Sequence, residues 1–189
     1  MSVIEVYSMN LFKFLLIGIT LLLGLGAVFS VNLRSRHVNR TKPIQEFSEY
    51  LESGILNGIT LTIYYMCTTI FSRPVSEDTI KERGWHEYKI EVRGSPLEIY
   101  IDLITAMYEY VPTPVEQESP FVDIRLLYVF ENERGDSLFR VSMWGLDESM
   151  YVNGVEVKES DIFYDVIIPF LPLGIVKELE AGLNRNWIE

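Results

Sequence analysis

The side chains best suited to catalysis are few in this chain. It has two histidines, His37 and His86, and a single cysteine, Cys67. A serine–histidine–acid arrangement would have to combine His86 with Ser95, and no nucleophile-elbow motif accompanies them. Cys67 could pair with His86 as a nucleophile, but it lies in an alternating apolar segment where a small buried thiol is ordinary packing. These patterns therefore nominate no catalytic residue.

Acidic side chains are abundant, but their spacing is typical of neither a metal site nor a hydrolase. Glu131, Glu133 and Asp136 come close together in the segment ENERGD, where they could bind Ca²⁺ weakly. The regular alternation of acids in a calcium loop is missing, and acids at a hairpin tip also discourage edge pairing. The spacing marks out no carboxylate pair suited to hydrolysis. We therefore expect neither a metal ion nor a cofactor.

Aromatic residues provide the best candidate for a ligand site. Tyr64, Tyr65, Trp85 and Trp144 are expected to form an aromatic face for a sugar or a peptide. Aromatic residues make up 13% of the chain, so most of them must belong to the core. The aromatic face is therefore a hypothesis about binding and not about catalysis.

An apolar segment near the N-terminus bears on where the protein works. Residues 14–31, FLLIGITLLLGLGAVFSV, carry no charge, and their length is at the lower limit of what spans a bilayer. The segment is longer than the apolar region of a usual signal peptide, and its small-x-small cleavage pattern is weak. We predict a retained single-pass anchor in the lipid bilayer, with a cleaved signal peptide as the alternative.

The orientation of this anchor is ambiguous from the flanking charges. A short flank, residues 1–13, precedes it, and the linker that follows, residues 32–42, carries three arginines and one lysine. Basic residues prefer the cytoplasmic side, which would keep the following domain inside the cell. The rule weakens before a long domain, and a first apolar segment with a basic flank usually inserts with its amino end inside. We expect an extracytoplasmic domain at the cell membrane, with the cytoplasmic orientation as the alternative.

The remaining residues, 43–189, are predicted to form one acidic domain. The chain has a net charge of −11, and residues 1–42 hold five basic residues and one acidic residue, so residues 43–189 carry −15. Such a domain repels phosphate backbones, which argues against nucleic acid as a partner.

Hydrophobic periodicity predicts the elements of this domain. Two alternating segments, within 59–71 and 87–93, are typical of strands. Ser95 is expected to cap a helix over 96–110, with Glu98 completing a capping box. Further predictions are a helix from residue 43, a cap at Ser76, a hairpin over 122–143, a tight turn at Asn153-Gly154 and helices after residue 160.

The order of these elements lacks a regular alternation of strands and helices, which argues against a parallel sheet. The predicted fold class is α+β. It is a mostly antiparallel sheet of about five to six strands with helices packed on one face, preceded by the N-terminal transmembrane or signal-anchor helix.

Two classes of function fit these predictions. The first is a membrane-tethered, non-enzymatic binding or accessory domain that acts at the membrane surface on a protein, peptide or cell-envelope ligand. The second is a membrane-anchored hydrolase that uses acidic residues or His86. A cleft holding His86 and two carboxylates would favour the enzyme, whereas an exposed sheet edge or aromatic patch would favour binding. A cytoplasmic-side regulator of a membrane complex differs from the first class mainly in topology.

Overall fold

The structure is a computed structural model, and it describes five parts of the chain: residues 43–66, 74–82, 87–116, 123–143 and 149–183. The predicted N-terminal flank, anchor and linker lie outside these residues. So do four residues considered above: Cys67, Trp85, His86 and Trp144.

One antiparallel sheet contains all the strands of the described residues. In chain order they are β1 Thr60–Tyr65, β2 Tyr88–Arg93, β3 Leu126–Glu131, β4 Ser137–Met143, β5 Met150–Val152 and β6 Val155–Val157. Across the sheet the order is β2-β1-β3-β4-β5-β6, and every neighbouring pair is antiparallel. The predicted α+β class and the prediction of a mostly antiparallel sheet of about five to six strands are thus confirmed.

Short helices connect and flank these strands. They are α1 43–53, α2 Glu77–Lys81, α3 Ser95–Glu98, α4 Ile101–Glu109, α5 Ile162–Asp165, a 3₁₀ turn at Ile168–Phe170 and α6 Leu173–Leu183. All of them except α2 contribute side chains to the main core or pack against it, on one face of the sheet. The main core therefore lies between that face and these helices.

Strand β1 shows how the sequence divides the two faces. Successive side chains of a strand point to opposite faces, so Leu61, Ile63 and Tyr65 enter the main core together. Beside them, the buried hydroxyl of Tyr128 donates a hydrogen bond to the Phe163 carbonyl at 3.0 Å. Burial raises the pKa of Tyr128 well above its usual range, so this hydroxyl remains a donor at neutral pH. The opposite face of β1 carries polar residues and leaves room for a site.

Helix α2 lies on that opposite face, which corrects the prediction that helices cover one face only. Ser76 caps the helix as predicted, because its Oγ accepts a hydrogen bond from the Thr79 N–H at 3.2 Å. Ile80 of α2 then packs with Leu127 and Val129 of β3 in a second, smaller cluster. A helix of five residues is too short to display a periodicity, so the sequence alone did not reveal which face it covers.

Polar contacts join α2 to the sheet. Glu77 accepts a hydrogen bond from the buried Ser142 hydroxyl at 2.8 Å. Its other carboxylate oxygen lies 2.9 Å from Nε of Arg140. Both partners belong to β4, so Glu77 holds α2 against this strand, and α2 also lies next to β1.

The helix predicted over 96–110 is divided into α3 and α4, and its predicted cap is wrong. Gly94, with φ of 68°, occupies the cap position, and Ser95 is already helical and makes no side-chain cap. Glu98 accepts a hydrogen bond from the Leu56 N–H at 3.1 Å. Its carboxylate therefore contacts the loop before β1 rather than completing a capping box.

The tight turn between β5 and β6 is confirmed. Asn153 and Gly154 both have positive φ, 51° and 81°, as a two-residue hairpin turn requires.

Gly154→Val is expected to destabilise the fold by about 1 kcal/mol or more, since a β-branched residue resists this φ. Equilibrium unfolding checks it, with Gly182→Val as the matched control. Gly182 lies in α6, where an added Cβ would meet no atom outside the backbone of the helix within 4 Å, and its φ is not positive. Equal effects of the two substitutions would contradict the turn.

Candidate functional site

On the same sheet face as α2, polar residues of β1 and β2 line a groove of about 340 Å³. We call it the outer groove. Its floor consists of alternate residues of the two strands: Thr60, Thr62, Tyr64, Lys89, Glu91 and Arg93. The turn after β3 and the loop before β1 form its walls. Because the strand period is two, every second residue of these neighbouring strands contributes to one polar surface.

Charges of both signs alternate along the β2 side of the outer groove. The Glu91 carboxylate lies 2.7 Å from Nζ of Lys89 and 3.0 Å from Nη2 of Arg93. The hydrogen bond from Lys89 lowers the pKa of Glu91, and the same bond raises the pKa of Lys89. Both groups therefore stay charged at neutral pH. They supply fixed charges to a ligand and are not suited to exchange protons with it.

Tyr64 lies where the outer groove meets the small cluster under α2. Its ring packs partly against that cluster, and Nζ of Lys89 is 5.8 Å from the ring centroid. Burial raises the pKa of Tyr64, so the phenol is protonated at neutral pH. Nearby, the Thr62 hydroxyl donates to Glu131 at 3.3 Å. The groove thus offers an aromatic ring beside hydroxyl and carboxylate groups.

A rigid turn forms one wall of the outer groove, and we call residues 132–136 the Asn132 turn. The buried Asn132 side chain donates to Glu46 of α1 at 2.8 Å. Its Oδ1 accepts the backbone N–H groups of Arg134 at 3.0 Å and of Asp136 at 2.9 Å. Gly135 supplies a φ of 80° that the turn requires. The turn is therefore fixed from inside by one amide side chain.

The hypothesis of a weak Ca²⁺ site falls on this turn. The Asp136 carboxylate lies 3.1 Å from Nε of Arg134, and it also accepts a hydrogen bond from Asn132. Within the described ranges, no group of three or more histidine, cysteine or acidic side chains is placed to hold a metal ion. The Asp136 carboxylate instead contacts a cation and an amide of the protein itself.

The four residues of the predicted aromatic face are distributed differently from one another. Tyr64 borders the outer groove, whereas Tyr65 is buried in the main core with its ring 6.3 Å from that of Tyr88. The structure therefore does not bring Tyr64 and Tyr65 to one surface. Trp85 and Trp144 lie outside the described residues, so their part in a ligand site stays a prediction.

Sequence reasoning missed most of the groove residues. The alternation in 87–93 did place the charges of β2 in water, and the alternation in 59–71 separated Thr60 and Thr62 from the apolar residues of β1. It gave no sign that these two strands are neighbours or that their polar residues line one groove. A search for rows of polar residues on adjacent strands could have found the groove only after the strand order was known.

Neither a search for membrane-spanning helices nor comparison with known proteins assigns a role to the outer groove. Across the part of the chain that the structure describes, none of the helices combines the length and the apolar character that a membrane span needs. The predicted anchor at 14–31 falls outside that part. Comparison of the chain with protein-family models, with curated proteins and with solved structures found no match.

Proposed function

We propose that this chain is a membrane-tethered, non-enzymatic domain that binds a polar, basic peptide in the outer groove on the extracytoplasmic side of the membrane. The observation that carries the proposal is the outer groove itself, an open polar cleft on a sheet face. Its volume of about 340 Å³ suits a few residues of a ligand rather than a whole macromolecule.

The chemistry of the groove supports a peptide with basic side chains. Thr60 offers a hydroxyl group, and Glu131 and Glu133 on the side of β3 join Glu91, so the lining holds three acids against the two cations Lys89 and Arg93. The charge of −15 on residues 43–189 attracts cations over a distance of about a Debye length and raises the rate of their encounter.

The hydrolase alternative finds less support among the described groups. A general acid needs a pKa raised towards neutrality, whereas the pKa of Glu91 is lowered by Lys89. His86 lies outside the described residues, so its role in a hydrolase stays a prediction. Fixed charges and hydrogen-bonding groups favour binding over proton transfer.

The tether is inferred from the sequence. Residues 14–31 are long and apolar enough for one bilayer crossing, and residues 32–42 supply a polar spacer before the domain. The positive-inside rule has little effect on long domains, so the basic linker does not prevent an extracytoplasmic location of the domain. The apolar segment and the outer groove together support peptide binding on the extracytoplasmic side of the membrane.

A peptide-binding assay tests the proposal. Fluorescent peptides that are basic, acidic or neutral are added to right-side-out membrane vesicles that contain the full chain, and their binding is measured. We expect basic peptides to bind intact vesicles, and Thr60→Trp to weaken their binding about tenfold because the indole fills the groove. Thr113→Trp, the same change at an exposed threonine outside the groove, should leave binding unchanged.

Each other outcome contradicts a defined part of the proposal. Binding that needs permeabilised vesicles would place the domain in the cytoplasm. Equal effects of the two tryptophan substitutions would remove the outer groove as the site. No binding of any peptide in the panel would remove peptides as the ligand class.

A further inference from the structure

The two edges of the sheet are finished differently. At the β6 edge, residues 113–115 run alongside the strand. Val115 N–H donates to the Glu156 carbonyl at 3.3 Å, and Lys158 N–H donates to the Thr113 carbonyl at 2.8 Å. At the other edge, β2 pairs with β1 on one side, and no strand of the described residues pairs on its outer side. An open strand edge presents unpaired backbone groups that can template another strand.

Strand β2 has a regular division of side chains between its two faces. Tyr88, Ile90 and Val92 lie on the face of the main core, and Tyr88 remains 47% exposed there. The other face carries Lys89, Glu91 and Arg93, and Glu87 directly precedes the strand, so the signs alternate along the sequence. An exposed aromatic ring on an open edge is a surface that another chain can cover.

We propose that β2 of two copies of this chain pair antiparallel around a two-fold axis at Ile90, which joins two six-stranded sheets into one sheet of twelve strands. The inference concerns the strand edge and does not rest on ligand binding in the outer groove. A two-fold interface uses the same surface on both subunits, so β2 must be complementary to itself.

The sequence of β2 meets this requirement in one register. With Ile90 on the axis, Lys89 lies opposite Glu91 of the partner subunit, and Glu87 lies opposite Arg93 of the partner subunit. Symmetry repeats both pairs, so the three charges of each strand and the Glu87 that precedes it all meet opposite charges. On the other face, Tyr88 lies opposite Val92 of the partner subunit. Opposite charges and apolar residues that face each other directly across an antiparallel pair stabilise it.

Every neighbouring register is unfavourable. An axis at Lys89 places that lysine opposite its own copy and Glu87 opposite Glu91 of the partner subunit. An axis at Glu91 brings the two Glu91 carboxylates together and puts Lys89 opposite Arg93 of the partner subunit. Like charges in these positions destabilise a pair. A shift by a single residue sets the apolar row against the charged row.

The charges of β2 therefore have two effects. Charged side chains on an edge normally prevent unspecific aggregation, and here they disfavour the shifted registers. The same charges favour one symmetric dimer. A six-residue edge buries little surface, so the dimer is expected to depend on protein concentration.

A charge-exchange experiment on the full chain tests the dimer. Two differently tagged copies are expressed together, solubilised in mild detergent and purified through one tag. Wild-type copies are expected to purify together. Lys89→Glu in both copies sets carboxylates against carboxylates, and Glu91→Lys in both copies sets cations against cations. Each variant is therefore expected to associate with itself about tenfold more weakly than wild type.

A mixture of the two variants provides the decisive control. Pairing a Lys89→Glu copy with a Glu91→Lys copy restores opposite charges at every position, so association is expected to return to the wild-type level. Recovery would also show that both variants fold. Wild-type copies that do not purify together, variants that associate with themselves as wild type does, or a mixture that does not recover would each overturn the proposal.

A disulfide at the axis tests the register by an independent route. In a Cys67→Ser background, Ile90→Cys places two thiols opposite each other, whereas Val92→Cys leaves them four residues apart. We expect a covalent dimer for Ile90→Cys and none for Val92→Cys after mild oxidation in the membrane. No dimer at position 90, or equal yields at both positions, would exclude this register.

Discussion

Phe47→Ala is expected to lower the free energy of unfolding by about 3–5 kcal/mol. Phe47 of α1 is completely buried, and its ring centroid lies 5.0 Å from that of Phe130 and 5.9 Å from that of Phe139. It also makes an edge contact with Tyr108 of α4 at 5.5 Å. One side chain thus joins two helices to two strands. Its removal costs the transfer of the ring from water and leaves a cavity that three aromatic neighbours cannot fill.

Denaturant unfolding of the full chain in mild detergent, followed by circular dichroism, measures this effect. Gln45→Ala is the control, since Gln45 is an exposed residue of the same helix and its removal should change stability by no more than about 0.5 kcal/mol. A loss below about 1 kcal/mol for Phe47→Ala would mean that α1 does not pack on the sheet as described.

Asp123→Ala is expected to cost about 3 kcal/mol, although Asp123 is not part of the main core. Its carboxylate lies 2.6 Å from Nη2 of Arg125, whose side chain is only 2% exposed. Its other oxygen accepts the Val75 N–H at 2.9 Å, in the segment that leads into α2. The substitution leaves a buried guanidinium without this carboxylate and a backbone donor without its acceptor. Each of these losses carries a desolvation penalty.

A second substitution separates the charge from the packing. In Asp123→Ala/Arg125→Met the buried cation is gone, so about half or more of the lost stability should return. Arg134→Ala is the comparison for an exposed ion pair, because Arg134 is 71% exposed in its contacts with Glu46 and Asp136. It is expected to cost less than about 1 kcal/mol. An Asp123→Ala effect as small as that of Arg134→Ala would contradict the buried pair.

Local patterns in the sequence were sufficient to predict the strands and the tight turn. The two-residue period of β1 follows from the geometry of a strand and needs no knowledge of its neighbours. Asn153-Gly154 has the φ values that its residue types favour, since both tolerate the left-handed region. The same period could also have separated Tyr64 from Tyr65, because consecutive residues of a strand cannot share a face.

Contacts between residues distant in the sequence determine the two features that local patterns did not predict, the role of Glu98 and the position of α2. Glu98 bonds to Leu56, which is 42 residues away, and so does not complete the predicted capping box. Glu77 holds α2 on the outer face through β4. The outer groove depends on the strand order, which cannot be deduced from the pattern of a single segment.

The internal hydrogen bonds of the Asn132 turn have a thermodynamic consequence for anything that enters the outer groove. Loops that become ordered around a ligand lose conformational entropy on binding, and that loss reduces affinity. Here Asn132 already fixes the backbone of one wall through Arg134 and Asp136. The entropic cost of association at this wall therefore falls on the ligand and on the long side chains of the groove, and the backbone of the turn contributes almost none of it.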